Sequence, residues 1–530
     1  MKKILIPILS LLCVAVLTVP SWVLAQGTSS TLTLNSGFSS SYSGVSIAGA
    51  VDLSSDIGLP NTSEQITQIA FAPGNDSHVY VSTFENGIWR YDYDPESTNF
   101  FSNGTKVVQD SVLLSPSSGD PRLGTGAPMG SLGIAFHEDA SLGLVMYIAP
   151  AVAFGAGTAS SLAAVQPQRI VRLTDSGGNG VFGDQVGDVN QVIVDNVWVN
   201  THHQINQLQV LGDTLFASIG TRTSLGGIGN EFPGETAYTG AVCFIEDLNT
   251  ISDSITTNIS GFTIPDFNSD GVIDDFDAKV DSQPFSSTDP SKLRVFSTGM
   301  RNIYGIAHDH EGDLWVSMNE SGSGGPDDLY ETRFKDDHGF PKQNELLGDW
   351  KIAGDHDTNE LSGDPSSVAL ANGYFANFVP EFAESDQNNS SFGGLDFFSQ
   401  LTEDVNLRGN ILVSQSFDSQ AVVMFDSVTG AQTTVLNGST DRILEVKTDP
   451  FGNLLAAGQN GRVTLVTVAT ETRALLKGDV NIDGVIDFFD VSPFIVILSS
   501  GGFQAEADVS CDEIVDFFDI SPFVARLSSQ

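Results

Sequence analysis

Cysteine is scarce, with three in 530 residues. Cys13 lies in an apolar N-terminal stretch, and Cys243 and Cys511 fall far apart in what read as different modules. A disulfide framework is therefore excluded, and stability must come from packing and metal. Basic residues are few as well: 23 Lys and Arg stand against 66 Asp and Glu, a formal net charge of -43. Such a surface repels nucleic-acid phosphates and anionic lipid head groups, which excludes both as partners and leaves cations as natural ones. Most of the carboxylates read as a solubilising surface. Beyond the N-terminus no segment reaches the roughly 18 apolar residues of a membrane span, and helical periodicity is nearly absent from the middle of the chain.

What is present begins with Lys2 and Lys3, an apolar run from Ile4 to Val19, and Val23-Leu24-Ala25 before Gln26. This is the pattern of a secretory signal peptide, residues 1–25, cut near Ala25. A secreted, periplasmic or cell-surface location follows. The remaining length of about 500 residues exceeds one ordinary domain, so a large body with an appendage is expected.

From residue 66 to 472 short apolar or alternating runs are broken by Gly, Asp, Asn and Ser. Three such runs recur in each of six groups, beginning near Ile66, Leu132, Gln207, Ile303, Gly394 and Ile443. A mainly β fold is expected, a six-bladed β-propeller. A β-sandwich or β-helix is the alternative, but this is too much strand for one sandwich. Residues 26–65 are read as a surface segment that lends one strand to close the ring.

The last residues, 477–530, carry a different pattern. Asp479, Asn481, Asp483, Gly484, Asp487 and Asp490 fall at positions one, three, five, six, nine and twelve of a calcium loop, with the Val485 carbonyl at seven. A hard cation wants six to eight oxygens, and this spacing wraps them round one point. Asp508, Ser510, Asp512, Ile514, Asp516 and Asp519 repeat the offsets, and each loop leads into a Ser-Pro-Phe phrase, at Ser492 and at Ser521. The segment resembles a type I dockerin, a small α-helical domain of paired EF-hand-like calcium loops, which implies a cohesin-like or other protein partner. It departs from that pattern at Glu513, which replaces the turn glycine and should weaken the second loop. It departs again at Phe488-Phe489 and Phe517-Phe518, where small polar recognition residues are usual; these rings either pack the repeats together or form a docking face. A third loop of the same spacing, Asp266, Asn268, Asp270, Val272, Asp274 and Asp277, is inserted in the propeller region and reads as a structural calcium site.

The middle of the chain also resembles the soluble quinoprotein glucose and sorbosone dehydrogenases. The resemblance rests on His203-Gln204-Ile205-Asn206-Gln207-Leu208, on Ser297-Thr298-Gly299-Met300-Arg301-Asn302-Ile303-Tyr304-Gly305, on Gly325-Pro326-Asp327-Asp328-Leu329-Tyr330 and on His338-Gly339-Phe340-Pro341. It implies a propeller that binds pyrroloquinoline quinone (PQQ) and calcium and oxidises a sugar or other alcohol. His203 would be the general base, Arg301 the cation beside the quinone oxygen and Asn302 a further donor to the cofactor. The carbonyls of Gly325 and Pro326 would ligate calcium, with Asp327 or Asp328 holding their loop.

Three departures stand beside these implications. His202 occupies the place of an Asp, Gly220-Thr221 stands where Gly-Asp is usual, and Phe417-Asp418 stands where a basic residue is usual. Read from the residues alone, His203 and Arg301 are equally satisfied polar groups that fix blade geometry. A non-catalytic propeller that binds polysaccharide or protein is therefore the alternative function, and a polysaccharide-degrading glycoside hydrolase a third, for which no carboxylate pair can be placed.

Overall fold

The computed structural model describes residues 32–54, 66–113, 130–151, 165–200, 203–221, 240–251, 257–258, 293–310, 312–319, 326–334, 336–338, 343–344, 349–350, 377–378, 381–388, 391–416, 420–437 and 442–469. In the tail it describes 478, 480, 488–500, 504, 507–509 and 514–528.

Six sheets of four or five strands, antiparallel apart from the short strand Thr257–Asn258 beside Asn190–Asn200, account for most of these residues. Their innermost strands are Ile66–Phe71, Ser131–Asp139, Ile205–Leu211, Asn302–His308, Phe392–Phe397 and Ile443–Thr448. Each innermost strand lies against the next, and the sixth returns to the first. The protein is therefore a six-bladed β-propeller, mainly β, with the blades numbered here in that order. A separate apolar cluster fills each gap between neighbouring blades; Phe216, Val242, Ile306 and Val316, for example, join blades 3 and 4.

The ring is closed by the chain's own N-terminus. Val45–Asp52 pairs antiparallel with Arg462–Val468 as the outermost strand of blade 6, from Val45 opposite Val468 to Asp52 opposite Arg462 with one register shift between Ile47 and Gly49. Ahead of it, Asn35 caps the short helix Ser36–Ser41 by accepting from the Gly37 and Phe38 amides at 2.9 and 3.2 Å. That cap aims Phe38 into the gap between blades 5 and 6, where it stacks on Phe398 at 6.3 Å.

In blades 1 to 5 the fourth strand has a weaker pattern than the three inner ones and was not expected from the sequence. Phe101–Lys106, for instance, exposes alternate residues because an outermost strand has one partner and a wet face.

All six innermost strands share one irregularity. Each slips register against its second strand near its start, between Ile66 and Gln68, Ser131 and Gly133, Ile205 and Leu208, Ile303 and Ile306, Phe392 and Leu395, and Ile443 and Glu445. A bulge leaves backbone groups without ladder partners. Buried serines on second strands satisfy several of them: Ser82 Oγ donates to Ser131 O at 2.7 Å, and Ser317 Oγ to Gly393 O at 2.6 Å. In both cases the serine belongs to the preceding blade, so the bond also staples two blades.

The tail carries two short helices, Val491–Ser500 and Ile520–Ser528, each preceded by one 3-10 turn. Pro493 and Pro522 sit in the first helical turns, where the missing N–H has no intrahelical use. Phe494 and Phe523 stack at 4.3 Å and 6° and join Val480, Ala507, Val509 and Val515 in a small core. Among the described residues no helix is long and apolar enough to cross a membrane.

Candidate functional site

In an antiparallel blade the start of the first strand lies beside the end of the second, as Ile205 does beside Ile219 and Asn302 beside Asn319. All such junctions meet at one end of the propeller, termed the upper end. The turns between first and second strands lie at the other, lower end.

His203 and Gln204 enter blade 3 at the upper end, and Arg301 and Asn302 enter blade 4 beside them. His203 Nδ1 lies 2.9 Å from Thr221 Oγ1, in a hydrogen bond, and the Thr221 amide donates to the Arg301 carbonyl at 2.9 Å. Asn206 Nδ2 donates to Asn302 Oδ1 at 3.1 Å and to the Ile303 carbonyl at 2.5 Å. Gly220 sits among them: a Cβ there would fall 2.7 Å from His203 Cβ and 3.0 Å from Asn302 Oδ1. Its missing side chain lets the two blades bring these residues together. The patch is nearly dry, with His203 at 4 %, Arg301 at 7 % and Asn302 at 9 % exposure.

Arg301 Nη1 donates to the Asn319 carbonyl at 3.1 Å, which fixes the guanidinium at the end of the second strand of blade 4. The Asn302 amide oxygen is engaged by Asn206, so what Asn302 offers a ligand is its Nδ2 hydrogens. The structure thus brings His203, Arg301 and Asn302 into one cluster. Two partners, Thr221 and Asn206, were not singled out as site residues. Thr221 was visible only as a departure from Gly-Asp, and its place beside the imidazole gives that departure a meaning: a neutral hydroxyl stands on Nδ1.

Pro326 begins the strand Pro326–Thr332 and pairs with Asn388; Gly325 lies outside the described residues. Asp327 and Asp328 were expected to hold a loop, and they lie in this strand instead. Asp327 Oδ2 accepts from the Phe392 amide at 3.1 Å, tying blade 4 to blade 5, and Asp328 Oδ2 accepts from Tyr330 at 3.0 Å. His338 is buried, with Nε2 2.9 Å from Thr332 Oγ1 and its ring 4.5 Å from that of Tyr330. Those bonds make it a structural residue.

The channel between the inner strands is filled by side chains. Gln207 Nε2 donates to Glu445 Oε2 at 2.5 Å, across from blade 3 to blade 6, while its Oε1 accepts from the Ile306 amide at 3.1 Å. Gln68 of blade 1 accepts from the Ile134 amide at 2.8 Å and donates to the Leu208 carbonyl at 2.9 Å. Burial drives the Glu445 carboxyl well above the usual range, against the opposing pull of Lys447.

Of the tail loops, Asp490, Asp508, Ile514, Asp516 and Asp519 are described. Asp479, Asn481, Asp483, Val485, Asp487, Ser510 and Asp512 lie outside the described residues, as does the whole inserted loop of Asp266, Asn268, Asp270, Val272, Asp274 and Asp277. Asp490, Asp508 and Asp519 are buried. Asp519 accepts from the Val509 amide at 2.7 Å through one oxygen and from the Asp516 amide at 2.9 Å through the other. Burial, together with the Asp508 charge, raises the Asp516 carboxyl above its ordinary value.

Residues 272–467 match the family model described as Glucose / Sorbosone dehydrogenase. The match takes in blades 4 to 6, with Arg301, Asn302, Gly325 and Pro326, and leaves His203 outside it. No curated protein matches the chain in sequence. Solved structures similar to it include the PQQ-bound aldose sugar dehydrogenase of Streptomyces coelicolor, at 16% identity and a TM-score of 0.45, covering 78% of this chain and 100% of that one. The apo-form soluble aldose sugar dehydrogenase of Escherichia coli is 13% identical, with a TM-score of 0.42 over 77% of this chain and 99% of that one. A Trichoderma reesei protein of carbohydrate-active enzyme family AA12, in its calcium structure, is 11% identical, with a TM-score of 0.48 over 84% and 99%.

Proposed function

We propose that the propeller is a PQQ-dependent sugar or alcohol dehydrogenase whose active site is the upper end of the channel. The observation that carries this reading is the joining of His203, Arg301 and Asn302 in one buried cluster, within a chain whose blades 4 to 6 match the dehydrogenase family model.

The residues present fit an anionic, planar quinone. Arg301 is a fixed fork donor suited to a carboxylate or quinone oxygen, Asn302 adds amide hydrogens, and the surroundings are dry enough to strengthen both. Arg301 and Asn302 would hold the cofactor's edge; Gly325 and Pro326 carbonyls would hold its calcium. When bound, the quinone supplies a two-electron acceptor for the hydride of the substrate carbon.

The chain's own residues supply the rest. For His203 Nε2 to take the proton of the substrate hydroxyl, Nδ1 must carry hydrogen and donate it to Thr221 Oγ1. That bond also fixes the ring plane. Arg301, anchored on Asn319, places positive charge where the developing negative charge is stabilised without reorganisation.

The same reading covers the rest of the chain. Residues 1–25 direct export. The tail would hold calcium in two loops, because the donors that the sequence sets at the loop positions are all oxygen. A cohesin-like or other protein partner would meet the repeat that bears Phe488, which is 81 % exposed.

The test is reconstitution of the purified protein with PQQ and calcium, followed by assay of aldoses and alcohols with an electron-acceptor dye. Cofactor-dependent oxidation that His203→Ala abolishes supports the proposal. Absence of any activity, with glycan binding that needs no PQQ, would establish the non-catalytic alternative.

A further inference from the structure

The tail does not stand clear of the propeller. Gly212, in the lower-end turn between the first two strands of blade 3, has φ +57°, and a Cβ built on it would fall 2.0 Å from Phe518 Cε2 and 2.4 Å from Cζ. The ring therefore rests directly on the glycine. The corresponding turn of blade 4 contains Gly312, φ +85°, where a Cβ would lie 3.8 Å from Ile514 Cδ1 and 3.8 Å from Leu211 Cδ2. Two neighbouring turns thus meet two residues of the second tail repeat. Both glycines have a left-handed backbone, and at Gly212 any side chain would displace the ring.

Phe518 takes no part in the tail's own core, which is built on Phe494 and Phe523. It is 40 % exposed, whereas Phe517 beside it is 76 % exposed and Phe488, the counterpart of Phe517 in the first repeat, 81 %. Phe518 is thus the less exposed of the two neighbouring rings. The propeller's last strand ends at Val468 and the tail's first described residue is Gly478. So short a tether gives an effective concentration of about millimolar, which strengthens a contact that would be weak between separate molecules.

We propose that the tail is docked on the lower end of its own propeller, with Phe518 seated on Gly212 and Ile514 against Gly312. The second repeat faces inward, at the end of the channel opposite His203 and Arg301, and the first repeat remains for an outside partner. A partner that grips both repeats must first detach the module. The contact does not depend on quinone binding.

Hydrogen exchange and small-angle scattering on the full mature chain test this, comparing wild type with Phe518→Ser and Gly212→Asn. Asn tolerates a left-handed backbone better than other side chains, so the turn survives and only the seat is lost. Exchange across residues 209–216 and 309–316 should quicken roughly tenfold in either variant, equivalent to about 1.4 kcal/mol. The maximum dimension should grow, while protection around Phe494 and Phe523 stays as in wild type. Wild type and variants that exchange and scatter alike would overturn the proposal. So would loosening in one variant alone, because ring and seat are two halves of one contact.

Discussion

His203 Nδ1 and Thr221 Oγ1 form a hydrogen bond of 2.9 Å across the first two strands of blade 3. A hydroxyl orients an imidazole but adds no charge, so the imidazolium formed on proton transfer gains nothing electrostatic from it. Thr221→Asp would supply that charge. An adjacent carboxylate favours protonated histidine and should move the acidic limb of the kcat/KM profile upward by about one pH unit. His203→Gln should lower cofactor-dependent turnover by about a hundredfold to ten-thousandfold with folding intact. An unchanged pH profile in the Asp variant would separate His203 from the chemistry.

Glu445 gives a pH dependence of a known sign. Burial raises its folded-state value well above an unfolded value of about 4.3. Its stabilising contribution is complete below the unfolded value and is lost as pH rises through the folded one. Asp449 acts in the same sense at lower pH: burial pushes it to about 6, although Tyr93 and Asn453 donate to it. Thermal midpoints of the wild type should therefore fall between pH 5 and 8 more steeply than those of Glu445→Gln, whose neutral amide still accepts from Gln207. Parallel curves would contradict this assignment.

Ser317 ties the bulge of blade 5 to blade 4. Removing its hydroxyl leaves the buried Gly393 carbonyl without that donor, and Ser317→Ala should cost about 1 to 3 kcal/mol. Denaturant unfolding measures it, and a cost near zero would mean the bulge finds another partner.

Metal removal separates the modules. If calcium holds the tail loops, a chelator should abolish the exchange protection around Phe494 and Phe523, because Asp508 and Asp516 repel each other without a cation. The propeller core should keep its protection. Retained protection of the tail in chelator would show that its apolar core suffices.

Much of the propeller could be read from the chain because inner strands announce themselves by burial. Thr214–Ile219 and Ile443–Thr448 have the same bounds in the structure as the runs read from the sequence. Outer strands such as Phe101–Lys106 could not be read so, since their half-wet pattern resembles a turn-rich loop. The shared bulge was also hidden, although Ser82, Ser218, Ser317 and Ser414 stand conspicuously inside apolar strands. At the site, Arg301 and Asn302 were legible as a phrase, whereas Thr221 gained its meaning only when the fold set it against His203. The seating of Phe518 on Gly212 joins residues about 300 apart in sequence, a separation that no local pattern encodes.

On the proposed reading, the upper end of the channel takes a quinone through Arg301. Calorimetric titration of the purified mature protein with PQQ, in calcium, tests it most directly. Saturable binding that weakens at least tenfold in Arg301→Ala is the expected result, since a charged hydrogen bond is worth about 1.5 to 3 kcal/mol. No heat of binding to the wild type, or equal affinity in the variant, would contradict the account.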